Sequence, residues 1–81
     1  MHKIPRDISG RKLAQLLKRY DYKIKKQTGS HITLVTNFKN KKHKITIPDH
    51  QFIKIGTLNR ILNDLKDYLK ITKEKLIKEL L

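Results

Sequence analysis

Leu13, Leu16, Leu17 and Tyr20 recur at helical spacing, with Arg11, Lys12, Lys18 and Arg19 around the rest of the turn. That period predicts a helix over residues 10–20, with Leu13, Leu16 and Leu17 facing a core. Ser9 is a suitable N-cap, and Ile8 and Leu13 stand at hydrophobic-staple positions. Residues 4–8 read as an extended lead-in, since Pro5 disfavours helix before it. The period then changes from 3.6 to 2. Residues 22–27 alternate apolar and basic, as a half-buried strand does, and residues 31–38 are rich in β-formers. Residues 37–42 are polar and predict a hairpin loop. Residues 43–47 alternate again, and Pro48 ends that ladder. Helical spacing returns with Leu58, Ile61, Leu62, Leu65, Tyr68 and Leu69, after Thr57 as N-cap. Thr72 caps a last helix over residues 73–81, with Ile71 and Leu76 at staple positions. The order is α-β-β-β-α-α. It predicts an α+β fold, a three-stranded antiparallel sheet with helices on one face. Residues 1–81 are expected to form one domain, without linker or repeat.

Strand parity carries the argument towards a site. Tyr22 and Ile24 are expected on the core face with Ile32 and Leu34. A two-residue turn at Gly29-Ser30 would put those pairs on opposite faces. An odd-length turn or a bulge using Gly29 at positive φ is therefore expected, with Gln27 opposite His31. Lys23, Lys25 and Thr33 then share the face of His31. Pairing Leu34 with Ile47 adds Lys44 and Thr46, and brings His50 towards His31. The uncovered face of the sheet is predicted to be basic and to carry a histidine.

Composition narrows the chemistry. Twenty Lys+Arg stand against seven Asp+Glu, a net charge of +13 in 81 residues. So short a chain leaves much of its surface exposed, and such a charge attracts polyanions. Nucleic acid is the leading partner, and an acidic protein is the alternative. A membrane is disfavoured, because no helix pairs a basic face with a Trp/Phe-rich one. The absence of cysteine excludes disulfides, thiol catalysis and Cys-ligated zinc. No signal-peptide core or membrane span is legible, which makes the cytoplasm the default address.

The α-β-β-β-α order on a basic chain is similar to that of double-stranded-RNA-binding domains (dsRBDs). Four blocks are more telling: Ile4-Pro5-Arg6-Asp7-Ile8-Ser9-Gly10, Gln27-Thr28-Gly29-Ser30-His31, Ile47-Pro48-Asp49-His50, and Lys54-Ile55-Gly56-Thr57-Leu58 with Ile61-Leu62. In order and spacing they resemble the HicA family, small toxins of toxin–antitoxin pairs. The resemblance implies a dsRBD-like fold and an mRNA interferase, a ribonuclease that cuts messages. It also implies a HicB-type antitoxin that binds the toxin and blocks its site. The family's catalytic histidine falls on His31. Two positions depart from the family pattern: its Gly-Phe after the first helix is Asp21-Tyr22, and its Gly-Leu turn before the last helix is Lys70-Ile71.

The residues are compatible with that chemistry without a cofactor or metal. Few carboxylates and no cysteine give poor support to a metal-assisted nuclease. RNA carries its own nucleophile in the 2′-hydroxyl, so the protein needs a base, cations and in-line geometry. An imidazole suits proton transfer near neutral pH. His31 is the catalytic candidate, with Lys23, Lys25 and Lys44 as phosphate-binding candidates on the same face. Lys54 joins them at a helix N-terminus, where free backbone N–H groups point outward. Gly29, Ser30 and His50 are supporting candidates. Plainer readings stand beside these. A lone strand histidine usually has no role, and the motif match and the sheet-face argument reverse that for His31. His50 is equally well a simple turn residue. His43 and His2 are expected to have no role in the site. A lysine run is most often a solvated face, and Ser30 lacks the neighbours of a nucleophile. The rivals to an RNA-cleaving enzyme are a non-catalytic RNA-binding module of the same fold and a domain whose charge serves an acidic protein.

Overall fold

A computed structural model describes residues 7–81. Residues 4–6 of the lead-in expected over residues 4–8, and His2, lie outside the described residues. Helix α1 (Gly10–Leu16) continues as a tighter 3-10 turn (Leu17–Tyr20). Strands β1 (Lys23–Thr28), β2 (His31–Thr36) and β3 (His43–Pro48) follow, then α2 (Ile55–Leu69) and α3 (Lys73–Leu80). The strands form one antiparallel sheet in the order β1-β2-β3. This is an α+β fold with the element order of dsRBD-like domains.

The helical period places the core as the leucine spacing predicts. Leu13 and Leu17, Ile32 and Leu34, Ile45 and Ile47, and Leu58, Leu62, Leu65 and Leu76 are buried in one cluster. Each such side chain contributes about 1.5–3 kcal/mol over its exposed state. Leu16 is only partly buried at the margin, and Ala14 is buried instead. The Ser9 hydroxyl accepts the Lys12 N–H at 3.0 Å, and the Thr72 hydroxyl accepts that of Lys75 at 3.0 Å. Both expected caps are present. Thr57 is not a cap. Helix α2 starts at Ile55, its N-cap is Lys54, and no side chain caps it.

The two departures from the family pattern have a shared explanation. Asp21 (φ 61°) and Lys70 (φ 58°) each end a helix in the left-handed region that glycine enters most cheaply. They take the backbone shape that glycine would take, at some strain.

The register differs from the parity argument in three ways. Gly29-Ser30 is a two-residue turn, with Thr28 opposite His31 and Gln27 opposite Ile32. Gly29 (φ 55°) takes the positive φ of a tight glycine-first hairpin. The extra residue that parity demands is present, but it sits earlier, as an irregularity between Ile24 and Lys26. Second, Ile24 pairs with Leu34 on the helix side yet remains 56% exposed. Strand β1 is an edge strand and is exposed along its whole length. Third, Leu34 pairs with Ile45 and Ile32 with Ile47, a two-residue shift that preserves the faces. Strand β2 ends at Thr36, two residues before the expected end, while Pro48 still pairs with His31. Proline is tolerated there because β3 is also an edge strand.

Candidate functional site

The sheet face away from the helices is built in cross-strand rows. Thr28, His31 and Pro48 form one row, Lys26, Thr33 and Thr46 the next, and Lys23, Val35 and Lys44 the third. His31 is exposed on this face, as the parity argument requires. Lys23 and Lys44 share the face but not the neighbourhood. They lie four residues along β2 from His31, about 13 Å in an extended strand. Lys25 occupies the irregularity before Lys26, and Lys26, given no role in the sequence reading, holds the row beside His31.

The neighbours of His31 come from the chain beyond β3. His31, Thr46, Pro48, His50, Lys54, Thr57 and Arg60 line one cleft of about 470 Å³. Two imidazoles and two cations thus face a common space. His50 is brought there as expected, and Lys54, expected only as a phosphate site at the start of a helix, joins it. Arg60 was missed, because its basic charge looked like any other on the polar side of α2. It lies three residues after Thr57, so one helical turn brings it into the same cleft. The uncapped start of α2 adds amide N–H groups without side-chain acceptors. Phe52 and Ile55 flank Lys54 in sequence and are exposed.

Asp49 fixes this arrangement. Its carboxylate Oδ2 accepts from Gln27 Nε2 at 2.9 Å and from Arg11 at 3.2 Å. Its own N–H donates to the Ser30 carbonyl at 2.6 Å. The His50 carbonyl accepts the Gly10 N–H at 2.9 Å, and a Cβ on Gly10 would collide with the Pro48 carbonyl oxygen. Gly10 therefore lets α1 press against the loop that carries His50. Gly10, the Gln27–His31 block and the Ile47–His50 block are joined here by hydrogen bonds rather than by chain order, and the fourth block meets them through Lys54 and Thr57 in the cleft. Gly29 has a different part from the one expected. No atom lies within 4 Å of where its Cβ would be, so it serves the turn's φ and leaves register to the bulge. Ser30 contributes its carbonyl to Asp49.

His43 belongs to a separate cluster. Tyr22 Oη lies 2.6 Å from His43 Nδ1, and His43 Nε2 lies 3.2 Å from Asp64 Oδ1. The imidazole stacks on Tyr68, whose hydroxyl donates to the Lys41 carbonyl at 2.6 Å and accepts the Lys39 N–H at 2.9 Å. Burial, followed by the nearby Tyr68 and Asp64, pushes the Tyr22 phenol well above its usual range. The cluster fastens the β2–β3 loop to α2, which gives His43 a structural task outside the cleft.

Among the described residues, no three His, Asp or Glu side chains gather as a metal-ligand set, and no helix is long and apolar enough to cross a membrane. Comparison with curated proteins and with solved structures found no significant match. A family model described as HicA toxin of bacterial toxin-antitoxin matches residues 10–67. That span runs from the glycine at the start of α1 to the last turn of α2 and takes in the whole cleft. The chain belongs to the HicA family of toxins.

Proposed function

We propose that this toxin is a metal-independent mRNA interferase, an endoribonuclease with His31 as its catalytic base. The observation that carries the reading is the convergence of His31, His50, Lys54 and Arg60 on one cleft in a HicA-family chain. His31 takes the proton of the ribose 2′-hydroxyl, and the 2′-oxygen attacks the adjacent phosphorus. The bond from phosphorus to the 5′-oxygen breaks, leaving a 2′,3′-cyclic phosphate. The 5′-oxygen collects a proton, for which His50 is the candidate donor. Lys54, Arg60 and the free amides of the first turn of α2 offset charge on the phosphoryl oxygens. Lys26 guides the strand towards the cut, and Lys23, Lys25 and Lys44 hold it further along the sheet. The partner is a HicB-type antitoxin that covers the cleft, and exposed Phe52 and Ile55 offer it apolar contact. The site of action is the cytoplasm, where messages are translated.

Cleavage of RNA in EDTA tests the reading. The wild type should cut, leaving cyclic-phosphate and 5′-hydroxyl ends, and folded His31→Ala should not. A 2′-deoxy substitution at the cut position should block cleavage without abolishing binding. Undiminished cutting by His31→Ala refutes the assignment of the base, and loss of cutting in EDTA refutes metal independence. RNA binding without cutting by the wild type would favour a non-catalytic RNA-binding module.

A further inference from the structure

We propose a second RNA subsite at the opposite end of the sheet, where one unpaired nucleobase stacks on Phe38. The inference deepens the ribonuclease reading and rests on it for the identity of the ligand. An open depression of about 750 Å³ lies there, lined by Lys23, Val35, Asn37, Phe38 and Lys42 among others. Phe38 is 45% exposed, although an apolar ring gains by burial.

The ring is nonetheless held. It makes an edge contact with buried Tyr20, the centroids 5.8 Å apart at 76°. The Phe38 backbone N–H donates to Thr36 Oγ1 at 3.2 Å, and that hydroxyl donates to the Tyr20 carbonyl at 2.6 Å. An anchored aromatic has little conformational freedom left to lose when a base stacks on it. Lys23 and Lys42 supply charge for the flanking phosphates, and Asn37 supplies both a donor and an acceptor for a base edge.

Charge and continuity select single-stranded RNA as the occupant. The depression is lined by Lys23 and Lys42 against one carboxylate, that of Asp21, and the rows containing Lys23, Lys26 and Lys44 connect it along the same sheet face to His31. His31 to Thr36 spans about 17 Å of extended strand, and Phe38 lies in the turn just beyond it. The subsite therefore lies several nucleotides from the cut and would read sequence or structure at a distance. A base already stacked in a duplex could not use it.

The test uses the full chain carrying His31→Ala, with fluorescently labelled RNA followed by anisotropy. One oligonucleotide spans both cleft and depression, in extensions to either side of the cut, and one covers the cleft alone. Phe38→Ala should weaken binding of the long RNA about tenfold and leave the short one unchanged. Phe38→Trp should retain affinity. Phe38→Leu keeps apolar contact with Tyr20 but lacks a π-face, so it should show the same length-dependent loss. It also answers for Phe38→Ala should that variant fail to fold. In the active protein, KM for long substrates should rise while kcat stays unchanged. Equal loss for both lengths, or no loss in either extension, overturns the subsite. If the wild type fails to cut while the length-dependent loss persists, the nuclease reading falls and the subsite stands.

Discussion

Asp49 makes the most consequential polar contacts around the cleft, yet its two side-chain bonds have unequal value. Arg11 is 71% exposed, so that ion pair is worth at most about 1 kcal/mol. The Gln27 amide gives the same oxygen a shorter bond, and the Asp49 side chain is only 18% exposed. Losing the carboxylate therefore costs more than losing the guanidinium. Asp49→Ala should lower stability by about 1–2 kcal/mol, and Arg11→Ala by under about 0.5 kcal/mol, in denaturant unfolding. Asp49→Ala should also reduce kcat more than it raises KM, because it loosens the loop carrying His50 without removing a phosphate contact. Equal effects of the two variants would show that Asp49 positions nothing. The residues of this knot were legible as sequence motifs, but the knot was not. Gln27 and Arg11 stand 22 and 38 residues from Asp49, and nothing in the sequence pairs a glutamine with one carboxylate among seven.

At the scale of elements, helix α2 gives up stability at the end that faces the cleft. Its N-cap is a lysine without a capping bond, and its first turn carries no acidic residue. A cation there also opposes the helix dipole. Lys54→Ser should supply the missing acceptor and add about 0.5–1 kcal/mol to stability. It should also remove a phosphate ligand and weaken RNA binding. A thermal melt and a binding titration on one variant should move in opposite directions, whereas a gain in both would leave Lys54 without a role in the site. The same end of α2 explains a misplaced boundary. Thr57 looked like the cap because threonine usually is one, and the local rule failed where the helix faces the cleft. The strands divide similarly. Period-2 alternation located β1 and β3, β-former content located β2, and parity correctly required one extra residue in the first hairpin. Its position was not legible, because Lys25 and Lys26 are alike and edge strand β1 has no buried pattern to fix its register.

The whole molecule is a slab, 35 × 31 × 17 Å, with one layer of helices on one sheet. Its charge and its phenols respond to solution conditions in separable ways. Burial first, and then the hydrogen bond to Glu79, push the Tyr20 phenol up to about 12, and Tyr22 moves in the same direction. A folded-state pKa above the unfolded value of about 10 means that the native state holds its proton longer. The stability this contributes is complete below about pH 10 and is lost as pH rises towards about 12. Tyr20→Phe should flatten that alkaline decline in denaturation midpoints. Salt acts on the other face. Lys54, Arg60, Lys26, Lys23, Lys44 and Lys42 mark a path from the cleft to the far depression. If a bound strand neutralises all six, log K should fall against log salt with a slope of about −4, since single strands lose about 0.7 per contact. Replacing Lys44 by alanine should lessen that slope by about 0.7 for RNA that spans the path. For RNA confined to the cleft the slope should be shallower, about −1.4 to −2.1 for two or three contacts, and indifferent to Lys44. A slope independent of RNA length would confine recognition to the cleft and remove the sheet from it.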